Sequence, residues 1–110
     1  MRRFALIVAF WPGALMAEGF QRLTGDEILE ALSGRKLNYE GGASQTFEPS
    51  MHTQYFSGGP SAGTWAVQED QYCSLWPPSD LWACYDIERN GDVIRFIGKG
   101  GDITDGVYAE

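Results

Sequence analysis

The chain has 110 residues, eight basic against fifteen acidic side chains, one histidine and two cysteines. That length allows one domain, and the acidic balance argues against a partner made of nucleic acid phosphate or an anionic membrane surface. A two-cysteine metal site would need further ligands, and no histidine or cysteine cluster supplies them.

Arg2 and Arg3 precede an apolar run from Phe4 to Trp11, broken by Pro12 and Gly13 and followed by small residues up to Ala17. This is the layout of a secretory signal peptide, and the run is too short to span a bilayer. Residues 1–17 are therefore expected to be removed, and residues 18–110 to form a single small β-rich domain. Six basic and fifteen acidic residues remain, a balance of −9. The sequence predicts a periplasmic or secreted protein with no stable membrane insertion once the signal is gone.

Residues 23–34, LTGDEILEALSG, predict an amphipathic helix. Thr24 and Glu27 have capping-box spacing, Leu23 and Ile28 can form a hydrophobic staple, and Gly34 can end the helix. Ile28, Ala31 and Leu32 make one apolar stripe, so the helix should lie against a sheet or plug one end of it. Strands follow at 36–40, with Leu37 and Tyr39 on one face; at 44–48, with Gln45 and Phe47 together; and at 51–56, with Met51, Thr53 and Tyr55 together. A loop is expected at 57–61, a strand at 63–69 with Trp65 and Val67 on one face, and a turn at Asp70 and Gln71.

Residues 72–85 predict a hairpin stapled by a Cys73–Cys84 disulfide. Opposing the two cysteines also pairs Tyr72 with Tyr85, Ser74 with Ala83, Leu75 with Trp82 and Trp76 with Leu81. Pro77, Pro78, Ser79 and Asp80 then form a four-residue loop, which keeps both prolines out of the ladder. Asn90-Gly91 predicts a second hairpin with a two-residue loop. That register pairs Ile87 with Ile94 and Tyr85 with Phe96, and sets an Asp86–Arg95 ion pair on the other face. A final strand is expected at 103–108. The fold class is mainly β (α+β): an N-terminal helix packed on a curved antiparallel up-and-down sheet or small barrel, with one disulfide.

The order of the signal peptide, LTGDEILEALSG, GTWAV (63–67), YCSLW (72–76), WACY (82–85) and GDVIRFIG (91–98) resembles a small exported protein family of alphaproteobacteria. The resemblance implies a bacterial exported protein and brings no activity with it. Gly63-Thr64-Trp65 is also similar to the glycine-any-tryptophan signature of lipocalins. There it sits on the first barrel strand; here four elements precede it, and the match reads as coincidence.

No nucleophile, base or metal constellation is legible, and neither catalytic residue nor cofactor is expected. His52 is predicted on an outer strand face, and a small hydrolase or isomerase using it is an alternative reading. Asp102 and Asp105 miss the spacing of a calcium loop and read as solvated acids. Tyr55, Trp65, Tyr72, Trp76, Tyr85 and Phe96 fall on one concave face, which in a small domain is the core and in a ligand-binding barrel is the pocket. Trp76 and Trp82 flank the proline loop, where burial is hardest, and could contact another protein. The sequence thus predicts an exported binding or interaction module whose partner is a protein or a small apolar ligand. Binding falls to Trp65, Tyr72, Trp76, Trp82 and Tyr85. Inhibition of a basic cell-wall hydrolase is a further alternative.

Overall fold

The computed structural model describes residues 19–110, so the signal-peptide expectation lies outside the described residues. Nine strands and one helix follow in the order β1 (Gln21–Arg22), α1 (Gly25–Leu32), β2 (Arg35–Tyr39), β3 (Ser44–Phe47), β4 (His52–Phe56), β5 (Pro60–Gln68), β6 (Gln71–Leu75), β7 (Ala83–Asn90), β8 (Val93–Ile97) and β9 (Ile103–Tyr108). Strands β2 to β9 each pair antiparallel with the next, and β9 returns to β2 through Leu37↔Tyr108 and Asn38↔Val107. This is a closed eight-stranded up-and-down barrel with one helix and one disulfide. Closure leaves no free edge in the ring.

Period-two alternation turns Leu37, Phe47, Trp65, Ile87, Ile94 and Tyr108 inward, where all are buried. They lie at one end of the barrel, and α1 covers that end. The helix touches β5 and β6 on one side and β2 on the other, so it spans the opening. Its buried stripe is Ile28, Ala31 and Leu32. The capping box forms as the sequence predicts: Thr24 N–H donates to Glu27 Oε1 at 2.8 Å, and Glu27 N–H to Thr24 Oγ1 at 3.4 Å. Two further bonds seat the plug. Gly25 N–H, an orphan donor of the first turn, donates to Asp70 Oδ1 at 2.6 Å. Tyr108 O–H donates to the Ala31 carbonyl at 2.7 Å, which satisfies a carbonyl of the last turn. Asp70 can point there because Glu69 and Asp70 both take positive φ (50° and 62°), the pattern of a tight two-residue hairpin turn. The turn thus falls at Glu69-Asp70, one residue before the predicted site, and Gln71 starts β6.

Cys73 and Cys84 are bonded and directly opposed, with Cα atoms 4.0 Å apart. Tyr72 faces Tyr85 and Ser74 faces Ala83, as expected. The ladder stops there. The expected Leu75–Trp82 and Trp76–Leu81 pairs do not form, and residues 76–82 make a wider loop. Trp76 leaves the ladder to fold inward over Gly63. A Cβ on Gly63 would lie 2.7 Å from the indole.

The last hairpin is also shifted. Asn90 pairs with Val93 and Ile87 with Phe96, so Gly91-Asp92 forms the loop. A shift of this kind moves each residue's partner by two, which preserves the face. Tyr85, Ile87, Ile94 and Phe96 therefore still share the inner side. The Asp92 carbonyl accepts from Tyr108 N–H, so contact with β9 favours this register. The predicted Asp86–Arg95 pair gives way to two others. Arg95 grips Asp105 with two bonds of 2.8 and 3.0 Å. Asp86 accepts from Arg22 and Gln71, both at 2.9 Å. Below Tyr72 and Tyr85 the strands β6 and β7 part. There β1 lies beside β7, and Asp86 ties the three strands together.

Candidate functional site: an aromatic cup at the open end

The end of the barrel opposite α1 is not filled. It forms a solvent-open cavity of about 1260 Å3 whose inner wall carries Tyr39, Tyr55, Tyr85, Trp76 and Phe96. That exceeds the roughly 300–1000 Å3 of most small-molecule pockets. The excess is understandable, because the rim laps over the outer face between β2 and β9 at Asn38, Asp105 and Val107.

Each wall residue is set by its strand. Tyr39 follows Leu37 at the open end of β2, and Tyr55 follows Thr53 on β4. Tyr85 precedes Ile87 on β7. Neighbouring rings are inclined and not stacked flat: Tyr39 and Tyr55 lie 6.1 Å apart at 39°, and Tyr55 and Trp76 lie 6.3 Å apart at 74°. They stand as walls around a space. Two glycines make room for them. Besides Gly63 beneath Trp76, Gly106 on β9 faces inward, and a Cβ there would lie 2.9 Å from the Tyr39 ring. Side chains at either position would push the aromatic wall away from its seat.

The floor is polar and ordered. Gln45, buried on β3, accepts from Tyr39 O–H at 2.7 Å. Its amide donates to Thr53 Oγ1 at 2.9 Å and to the Tyr72 hydroxyl oxygen at 3.1 Å. The Thr53 hydroxyl donates to the Thr46 carbonyl at 2.7 Å. Trp76 Nε1–H donates to Ser74 Oγ at 3.1 Å. Buried polar groups are retained where they are paired, and this network is paired inside the barrel. Burial pushes the Tyr39 phenol far above its usual range, with the neighbouring tyrosines adding to the effect. Burial also pushes Tyr72 up to about 12, against the opposing bonds from Ser74 and Gln45. Both phenols are neutral at physiological pH.

The structure divides the residues that the sequence grouped as binding. Trp65 is 0% exposed, with its indole N–H on the Glu48 carbonyl at 3.0 Å, and belongs to the core. Tyr72 sits between core and cup. Trp76 and Tyr85 line the cup. Trp82 is 45% exposed on the loop beyond it and, with Leu81 at 76%, faces away from the barrel interior. Trp82 borders a second, smaller space of about 680 Å3 beside Cys84, Asp86 and Lys99. His52 is exposed on the outer face of β4, opposite Thr64. Sequence reasoning did not assign Tyr39, Gln45, Gly63 or Gly106 to a site. The usable signal was Gln45, a polar side chain alternating in phase with Phe47 on an inward face.

Among the described residues no three histidine, cysteine or carboxylate side chains come together to hold a metal ion. No helix among them is long and apolar enough to cross a membrane. No protein-family model, curated protein or solved structure matches the chain.

Proposed function

We propose that the protein is an exported, non-catalytic binding module that holds a small, largely apolar ligand in the aromatic cup. The observation that carries this reading is the asymmetry of the barrel. One end is packed with side chains, while aromatic rings at the other surround open space above a paired polar floor. Export rests on the signal-like residues 1–17, on the resemblance to exported alphaproteobacterial proteins, and on the disulfide, a bond typical of oxidising compartments. The compartment follows as the bacterial periplasm.

Native mass spectrometry of the protein recovered from the periplasm of an exporting host tests this. The expected mass lacks residues 1–17 and two further hydrogens, and a small molecule is retained or taken up from a mixed ligand library. A retained leader overturns export. A bare protein that takes up nothing from the library overturns the ligand.

The stapled loop supports a second reading. Leu81 and Trp82 are exposed on a loop anchored at its base by Cys73–Cys84, and the −9 balance suits a basic partner. A lysozyme-type cell-wall hydrolase is then the target, and excess protein should slow it. Unchanged hydrolysis removes this reading.

A further inference from the structure

We infer that the ligand of the cup is an organic cation, a protonated or quaternary amine attached to an apolar body. The inference rests on the reading of the cup as a ligand site and names the class of ligand it takes.

Charge is the first argument. Of the six basic residues at 22, 35, 36, 89, 95 and 99, none lines the cavity. Four of them are engaged elsewhere. Arg22 is held by Asp86. Arg35 and Arg89 lie over the Tyr108 ring at the closed end, at 3.7 and 5.0 Å from its centroid. Arg95 is bound to Asp105 and lies 3.9 Å from the Phe20 ring centroid. The charged residues on the cavity rim are Glu40 and Asp105, and Arg95 already balances Asp105. An anionic ligand would meet no opposite charge here, while a cation would meet Glu40 at the entrance.

Hydrogen-bond capacity is the second. Both amide hydrogens of Gln45 are spent on Thr53 and Tyr72. The hydroxyl hydrogens of Tyr39 and Thr53 and the indole hydrogen of Trp76 are spent within the protein as well. Lone pairs remain on Gln45 Oε1 and on the Tyr39 oxygen. The Tyr55 and Tyr85 hydroxyls can turn to donate or accept. The Tyr72 and Ser74 hydroxyls accept from Gln45 and Trp76 and keep their own hydrogens, while Gln45 Oε1 and the Tyr39 oxygen offer lone pairs to a ligand that brings hydrogen-bond donors.

The rings are the third. Tyr39, Tyr55, Tyr85, Trp76 and Phe96 give a cation several π systems at mutual inclinations, whose faces attract an ammonium group. In the cup, Glu40 stands at the entrance to these aromatic walls.

Calorimetric titration of the disulfide-bonded protein, residues 18–110, with three probes of one shape tests the inference. The probes are 2-phenylethylammonium, 2-phenylethanol and phenylacetate. The ammonium should bind about tenfold or more tightly than the alcohol, and phenylacetate most weakly. Tyr55→Leu should cost the ammonium a factor of about ten, ~1.4 kcal/mol. It should cost the alcohol a smaller factor than the ammonium, and Tyr55→Phe should retain ammonium binding. Equal binding of alcohol and ammonium, or tighter binding of phenylacetate, overturns the cation and leaves the cup as a ligand site. Absence of binding by all three up to millimolar concentration overturns both.

Discussion

The two ends of the barrel are built by the same strands and the same alternation, yet they solve different problems. At the closed end Phe47, Trp65, Ile87 and Ile94 meet Ile28 and Leu32 of the helix, and Phe47 packs edge-on against Trp65 at 5.8 Å. At the open end the inward positions are held by Phe96 and by Tyr39, Tyr55, Tyr85 and Trp76, the last four with a polar handle. An indole or phenol at a half-buried site can keep its ring in apolar contact and its polar tip on a partner or on water. Aromatic richness in a small domain is thus not one property. The fully packed rings at the closed end, Phe47 and Trp65, stabilise the fold, and the half-buried rings at the open end border a space.

Substitutions at the two ends should separate those roles. Trp65→Ala empties a fully buried site and should cost about 3–5 kcal/mol, enough to unfold much of the population of so small a domain. Tyr55→Leu at the open end should leave the urea midpoint almost unchanged. Equal losses at both positions would mean that the cup wall is core. The disulfide comes next. It joins strands near the open end and closes a loop of separation 11. Cys73→Ser with Cys84→Ser should cost roughly 2–3 kcal/mol and several degrees of thermal midpoint. An unchanged midpoint would remove the staple from the account of stability.

The smallest effect is alkaline. Tyr39 and Tyr72 have folded-state pKa values raised above the unfolded value of 10.0. Below pH 10 both states keep these protons, and the groups add no pH dependence. Above it the unfolded chain releases protons that the barrel retains, so stability falls with rising pH. For Tyr72 the fall ends near pH 12, and for Tyr39 it continues further. The slope is about 1.4 kcal/mol per pH unit for each phenol. Tyr72→Phe should remove one share of it in urea titrations between pH 9 and 11. A flat profile there would mean that the cup floor is wet.

Much of this was legible locally. The Thr24–Glu27 cap, the helix stripe, the inward faces of the strands and the Cys73–Cys84 pairing all rest on spacings of a few residues or on one hairpin. The site was only partly legible. Trp76 and Tyr85 were on the right face, but Trp65 was grouped with them. Tyr39 shared a face with Leu37 and Gln45 with Phe47, and neither was given a role.

The sequence by itself determined which side of each strand points inward, because that depends on a period of two and on nothing distant. Height along the barrel depends on strand stagger, which is fixed by the closing pairing of β2 with β9, Leu37↔Tyr108, between residues far apart in the chain. A two-residue slip, like that at Gly91-Asp92, leaves the inward pattern intact and moves each side chain to another level. Only the closed barrel, plugged by the helix at one end, decided that Trp65 is core and that Tyr39, Tyr55, Trp76 and Tyr85 surround a cup.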